Sequence, residues 1–184
     1  ACKLLLRSGK LDMDAHRGFP TPWAAITHFS KLNKLFPESA TLNQYFLAGR
    51  DMNSPHEIDL CISHFMLIKN EVFAKVGLWD ETYFVYGEDV DFCYRVKQAG
   101  FKIMYLPQFS AVHYKGATVG IRKETSDIQN AATQSVETRK RMKLETTRAM
   151  KLFYEKHYSK KYPLIVRQFV YTGISFLESL RNLS

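Results

Sequence analysis

The sequence predicts one α/β domain in a cytoplasmic protein, and three observations support this prediction. The chain has 184 residues, 46% of them hydrophobic and 24% charged, which is enough for one domain with a substantial core and too short for two. Segments with helical periodicity alternate with short apolar runs typical of strands. The three cysteines are far apart and form no CxxC pair, which indicates reduced, buried thiols and a cytoplasmic location.

The first predicted elements are an apolar run, a helix and one or two strands. The apolar run Leu4 to Leu6 ends at a turn signal, Ser8-Gly9. Apolar residues then recur at helical spacing and predict a helix from Trp23 to Leu35. Residues 58–68, IDLCISHFMLI, predict one or two buried strand segments.

Two predicted helices follow, and each ends at a glycine. The stretch NEVFAKVG predicts a short helix that Gly77 terminates. The segment from Glu88 to Ala99 carries acidic residues in its first turn and is followed by Gly100, as expected of a complete helix.

The last third contains two predicted strands, a loop and basic helices. Residues 101–106 and 109–113 predict strands separated by Pro107. The polar residues 117–142 predict a mobile loop. Residues 143–184 predict basic amphipathic helices.

Three carboxylates, Glu88, Asp89 and Asp91, crowd the start of one predicted helix in a chain of net charge +8. A helix N-terminus stabilises each acidic side chain by roughly 0.3–1 kcal/mol. Asp91 precedes Arg95 by one helical turn, the favoured order for an ion pair, so we assign it a structural role. At least one other carboxylate then lies beside the aromatic stretch DETYFVYG, where it is a candidate general base.

An ordered string of elements runs from Phe65 to Gly116. It contains an apolar strand and a helix, a Gly-aromatic-Asp-Glu step, an aromatic pair, a Glu-Asp pair that opens a helix, an Arg, a Gly, a strand ending in Pro, and a His. This string resembles the C-terminal half of the catalytic domain in family 2 glycosyltransferases, especially the bacterial rhamnosyltransferase-like members. The resemblance implies a GT-A (Rossmann-like) fold with a mixed sheet, of which residues 1–116 are the acceptor-side half, and an inverting reaction.

The resemblance also implies roles for individual residues. Asp89 matches the family's catalytic base, with Glu88 as its partner. Trp79 and Asp80 match the acceptor side, and a purely structural turn is the competing interpretation. His113 matches a histidine that in some members joins a divalent metal, Mn or Mg, on the nucleotide diphosphate; a simple strand-end histidine is the alternative.

The implied partners are a nucleotide-sugar donor and a glycan or lipid-linked acceptor, in cell-surface polysaccharide synthesis. The family's nucleotide-binding half is missing here, so we expect a fragment that is inactive alone and needs that half to complete its metal site. Asp12-Met13-Asp14 has the letters of the family's metal motif. It follows a charged turn instead of an apolar strand, and we do not assign it.

The basic C-terminal segment suggests a membrane surface as a further partner. The stretch from Leu164 to Leu183 is interrupted by charged residues, and its longest uncharged run is shorter than the roughly 20 residues that span a bilayer. It predicts an amphipathic helix on the inner face of the cytoplasmic membrane, or a helix packed on the domain or on a second subunit. An apolar face left exposed would allow a homo-oligomer.

The sequence leaves other functional classes to consider beside a glycosyltransferase. No recognition motif accompanies the positive charge, so we expect no nucleic-acid partner. A non-catalytic membrane-associated or interaction module that retains the fold stays open as the main alternative to an enzyme. A metal hydrolase built on Glu88, Asp89, Asp91 and His113 is ranked last, because Asp91 is assigned to Arg95.

Overall fold

A computed structural model describes residues 1–115 and 136–182. The chain divides into two compact units. The first contains Ala1–Asp80 and Asp89–His113, and the second contains Glu81–Glu88 together with the described part of the chain after His113. The first unit combines a small sheet with helices, which confirms the predicted α/β class and its mixed sheet.

Three strands form the sheet, β1 (Cys2–Leu6), β2 (His56–Ile58) and β3 (Ile103–His113), in the order β1-β3-β2. β1 runs parallel to β3, and β2 runs antiparallel to it. Tyr105, which pairs with His56 of β2, is completely buried and packs in one core cluster with Ile58. The long strand β3 is therefore the element around which the first unit is built.

The prediction of two strands separated by Pro107 was wrong, because β3 is continuous through this proline. The pairing with β1 explains why. Cys2 pairs with Leu106 and the next residue, Lys3, pairs with Ser110, so the register shifts at the proline. A proline has no N–H to donate to a ladder, and a bulge is one of the few places where a strand accommodates it.

The apolar run of residues 58–68 contains less strand than predicted. β2 overlaps this run only at Ile58, and Leu60 forms an isolated antiparallel bridge with Arg17. Cys61 and Ile62 are buried without belonging to a strand. The second part of the run is not buried either, since Phe65 and Leu67 are 46% and 91% exposed. Hydrophobicity alone fixes neither burial nor backbone pairing.

The single helix predicted from Trp23 to Leu35 is two helices, α1 (Pro22–Phe29) and α2 (Leu32–Leu35). Thr21 caps α1, since its Oγ1 accepts a hydrogen bond from the Ala24 N–H at 3.1 Å. Lys31 breaks the chain between the helices, because its φ of 64° is left-handed and cannot continue a helix.

The two glycine-terminated helices are confirmed as α3 (Asn70–Val76) and α4 (Glu88–Gln98). Gly77 and Gly100 have φ of 81° and 87°, values that favour glycine. A core cluster joins the two helices through Val72, Phe92 and Val96. All three cysteines are free and buried, as predicted. Two short 3-10 helices, Met13–Ala15 and Gln44–Phe46, complete the first unit.

The second unit contains two long helices, α5 (Val136–His157) and α6 (Leu164–Asn182). The loop predicted over residues 117–142 is too long, because α5 already includes residues 136–142. Its first turn carries Glu137, and strong helix formers follow it. The rest of that prediction, residues 117–135, lies outside the described residues. Among the helices of residues 1–115 and 136–182, none is long and apolar enough to cross a membrane.

Candidate active site

The predicted ion pair between Asp91 and Arg95 is confirmed, and it fixes α4 in place. Arg95 Nε donates to Asp91 Oδ2 at 2.7 Å, and Asp91 is fully buried. The other two guanidinium nitrogens donate to the carbonyl oxygens of Val76 and Leu78 at 2.7 and 2.8 Å. Arg95 therefore ties α4 to the end of α3, and Asp91 has a structural role.

Asp89 occupies the first turn of α4 and is 8% exposed. Its Oδ1 accepts the backbone N–H of Val90 at 2.8 Å, and its Oδ2 lies 3.8 Å from Nη2 of Arg17. Burial raises the pKa of the Asp89 carboxyl, while Arg17 and backbone hydrogen bonds, including one from Ser63, act in the opposite direction. The carboxyl therefore holds a proton more firmly than an ordinary aspartate does.

This environment suits a general base. An aspartate at its usual pKa of about 3.9 is a weak base for an alcohol, and a raised pKa brings its proton affinity closer to the operating pH. Glu88 is the first residue of α4 and is half-buried. Its predicted role as a partner of Asp89 stays a prediction.

Arg17 was not predicted to be a functional residue. Arg17 is held by backbone hydrogen bonds with Leu60, from the Arg17 N–H at 3.3 Å and to the Arg17 carbonyl oxygen at 3.1 Å. Its Nη1 donates to the Tyr45 hydroxyl at 2.9 Å. No local pattern links residues so far apart as Arg17 and Asp89, so only the folded chain shows that they are neighbours.

His113 lies at the end of β3, as predicted, and its Nδ1 is 2.7 Å from Oδ2 of Asp12. The His64 ring lies against the His113 ring, with 4.2 Å between centroids. Asp12 also accepts the Asp14 N–H through Oδ1, at 3.2 Å. Asp12 of the unassigned Asp12-Met13-Asp14 motif thus contacts His113 through its carboxylate.

At many metal sites a carboxylate accepts a hydrogen bond from one ring nitrogen of a histidine and so orients the other nitrogen toward the metal. His113 Nε2 is the nitrogen that does not contact Asp12. Among residues 1–115 and 136–182, however, no group of three or more His, Cys, Asp or Glu side chains could hold a metal ion. The predicted metal role of His113 therefore stays a prediction.

Trp79 packs into the interior of the first unit. Its ring stacks on Phe92, with centroids 4.8 Å apart and planes at 19°, and lies 5.7 Å from the Phe73 ring. Asp80 follows it and is half-buried. The contacts of Trp79 explain a structural role, and the acceptor-side role of both residues stays a prediction.

A buried histidine pair, His16 and His56, was also not predicted. His16 is 1% exposed, and its Nε2 lies 2.6 Å from Nε2 of His56. The edge of the His16 ring also contacts Tyr105, with centroids 5.2 Å apart. Burial and then the charge of His56 lower the pKa of His16 to about 4. His16 is therefore neutral at neutral pH.

Comparison with known proteins identifies relatives of one enzyme class. Rhamnosyltransferase WbbL of Escherichia coli (strain K12) is 36% identical over 73 residues, which are 40% of this chain and 28% of that protein. The chain is similar to rhamnosyltransferases. Two Mycobacterium tuberculosis proteins (strains CDC 1551 / Oshkosh and ATCC 25618 / H37Rv), named N-acetylglucosaminyl-diphospho-decaprenol L-rhamnosyltransferase, are 38% identical over 55 residues, 30% of this chain and 18% of theirs.

No protein-family model and no solved structure matches the chain. The matched segments span less than a third of the relatives' own length, at 28% and 18%. The similarities support a relationship to glycosyltransferases.

Proposed function

We propose that this chain is the acceptor-side, base-bearing part of an inverting family 2 glycosyltransferase with a GT-A fold. The observation that carries the proposal is Asp89, a buried carboxylate with a raised pKa in the first turn of α4, in a chain similar to rhamnosyltransferases. The proposed reaction moves a sugar, of the hexosyl or rhamnosyl type, from a nucleotide-sugar donor to a glycan or lipid-linked acceptor. Its product enters cell-surface polysaccharide.

In this reaction Asp89 accepts the proton of an acceptor hydroxyl. The hydroxyl oxygen forms a bond to the anomeric carbon from the face opposite the nucleotide, and the bond from that carbon to the diphosphate oxygen breaks. The diphosphate takes the electron pair, the carboxylic acid of Asp89 holds the proton, and the anomeric configuration inverts. Proton transfer of this kind contributes typically 10²–10⁴-fold to a rate. Glu88 supports the base, and Trp79 and Asp80 border the acceptor.

A divalent metal, Mn or Mg, is the proposed cofactor. His113, oriented by Asp12, would supply one ligand through Nε2. The remaining ligands would come from the diphosphate and from protein segments other than those described here. When bound, such a metal neutralises the charge that develops on the leaving diphosphate.

Titration calorimetry tests the metal assignment. The complete protein that contains this chain is titrated with uridine, thymidine and guanosine diphosphates, with and without manganese. Manganese-dependent binding that His113→Ala abolishes supports the assignment. Manganese-dependent binding that survives this substitution contradicts it, and His157→Ala serves as the matched control.

We further propose that α6 lies on the inner face of the cytoplasmic membrane. No residue of α6 is buried, and Ile165, Phe169 and Phe176 are 80%, 63% and 63% exposed. These residues fall along one side of a helix of 3.6-residue period, and basic residues precede them in the chain. Such helices bind anionic lipid through the apolar side, which enters the bilayer interface, and through the basic residues, which attract the headgroups.

Vesicle flotation with phosphatidylglycerol vesicles tests this surface. Phe169→Asp combined with Phe176→Asp should abolish binding, while Gln168→Asp, which adds a charge at another exposed position of α6, should weaken it only slightly. Equal loss in both variants would show that charge, and not the apolar side of α6, determines the binding.

The enzyme assay uses the complete protein that contains this chain. Nuclear magnetic resonance of the product should show a linkage of inverted anomeric configuration. Retention of configuration would contradict the proposed mechanism. If the wild-type protein transfers no sugar from any nucleotide donor, the non-catalytic membrane module becomes the better account.

A further inference from the structure

We propose that Arg17 is a positioning residue for Asp89. The guanidinium of Arg17 keeps the buried carboxylate of Asp89 ionised and oriented before the acceptor hydroxyl binds. The catalytic part of this inference rests on the proposed function. The electrostatic part, a coupling between Arg17 and Asp89, stands on the geometry alone.

The pair is buried on both sides. The side chains of Arg17 and Asp89 are 13% and 11% exposed, and the contact joins Nη2 to Oδ2 at 3.8 Å. Val90 already binds the other carboxylate oxygen. Nη1 of Arg17 in turn donates a hydrogen bond to the Tyr45 hydroxyl at 2.9 Å. The guanidinium is therefore a fixed positive charge 3.8 Å from one carboxylate oxygen.

A comparison with Arg95 shows that Arg17 is not arranged for stability. Arg95 makes hydrogen bonds of 2.7, 2.7 and 2.8 Å through all three guanidinium nitrogens. By contrast, the buried Nε of Arg17 has no hydrogen-bond partner anywhere in the described part of the chain. A buried ion pair contributes little stability compared with apolar residues, and an unsatisfied buried donor costs free energy. The placement of Arg17 is better explained by its effect on Asp89.

That effect has a clear direction. Burial raises the pKa of Asp89, and a fully protonated carboxyl could not accept a proton from the acceptor. The positive charge of Arg17 lowers the same pKa and so favours the ionised form. The pKa of Arg17 itself is raised: burial lowers it, but Tyr45 and Asp89 favour the cation more strongly. Arg17 thus stays charged while it acts.

Other titratable groups face the pair from several segments. Near Asp89 lie the thiols of Cys61, on the segment after β2, and of Cys93, on α4 itself. Near Arg17 lie Asp14 and Tyr45, with His28 of α1 also within its electrostatic reach. Within the described residues, Arg17 is the cation that lowers the pKa of Asp89.

The first test needs no enzymatic activity. Carbon-detected magnetic resonance measures the pKa of the Asp89 carboxyl in this chain and in two variants. Arg17→Met, which keeps the length and removes the charge, should raise that pKa. Arg17→Lys, which keeps the charge, should leave it nearer to the wild-type value. An unchanged pKa in Arg17→Met would overturn the inference, and if that variant does not fold, an unchanged pKa in Arg17→Gln, which also removes the charge, would do so.

The second test is the pH–rate profile of the complete protein. Arg17→Met should lower kcat at neutral pH at least tenfold and move the acidic limb of the profile to higher pH, so that the deficit shrinks as the pH rises. Arg17→Lys should restore part of the loss. A deficit that is equal at all pH values, with no rescue by lysine, would indicate a merely structural role.

The two proposals can fail separately. If Arg17→Met raises the pKa of Asp89 while Asp89→Asn leaves sugar transfer intact, the coupling is real and the proposed function is wrong. If Asp89→Asn abolishes transfer while Arg17→Met changes neither the pKa nor the profile, the proposed function stands and the role of Arg17 is refuted.

Discussion

Acidification should destabilise the first unit through His16. This histidine is 1% exposed and packs against His56, and burial lowers its pKa to about 4. In the unfolded chain a histidine has a pKa of about 6.5. Between these values the unfolded chain binds a proton that the folded chain does not, so acid favours unfolding.

The magnitude follows from the two pKa values. The contribution of His16 is complete above about pH 6.5 and is lost as the pH falls toward 4; the whole difference corresponds to roughly 3 kcal/mol. At about pH 5, approximately 2 kcal/mol of it should be gone. Asp89 acts with the opposite sign, because burial raises its pKa and the folded chain therefore binds that proton more readily. A variant that removes His16 alone is needed to separate the two.

Urea unfolding at about pH 7.5 and at about pH 5 provides the assay. The chain has two tryptophans, Trp23 and Trp79, and both lie in the first unit, so their fluorescence reports its unfolding. The loss of stability on acidification should be about 2 kcal/mol smaller in His16→Phe than in wild type. His157→Phe, in the second unit, should behave as wild type. Equal losses in wild type and His16→Phe would refute the reasoning.

Two further predictions concern stability. Arg95→Ala should cost roughly 3–5 kcal/mol in urea unfolding, because it removes the ion-pair partner of the fully buried Asp91, whereas Lys69→Ala, in a pair that is 84% and 62% exposed, should change stability by less than about 1 kcal/mol. Similar costs for both would contradict this. Gly18→Ala should cost about 1–3 kcal/mol in the same assay, since its Cβ would lie 2.6 Å from the Gln44 carbonyl oxygen. An unchanged free energy of unfolding in Gly18→Ala would show that the backbone at Gln44 can move away from the added methyl group.

The sequence predicted those features that depend on residues close together in the chain. The ends of α3 and α4 follow from glycines that adopt positive φ, and the Asp91–Arg95 pair follows from helical spacing. These features depend on residues within a few positions of one another. The amphipathic helix α6 was predicted for the same reason.

Features that depend on distant partners could not be predicted. The strand β3 continues through Pro107 because the partner strand β1 shifts register there. Arg17 meets Asp89, and Asp12 meets His113, only because the fold brings together segments remote in the sequence. The exposure of Trp23 at 46% likewise depends on what packs against α1, which its helical spacing does not reveal.

The most direct test of the central claim is the turnover number of the complete protein with Asp89→Asn. Asparagine keeps the shape of the side chain but cannot accept the proton, so kcat should fall by roughly 10²–10⁴-fold while the affinity for the nucleotide and the fold are retained. Glu71→Gln, which removes an exposed carboxylate from α3, should leave kcat unchanged. A kcat close to wild type in Asp89→Asn would contradict the assignment of Asp89 as the base.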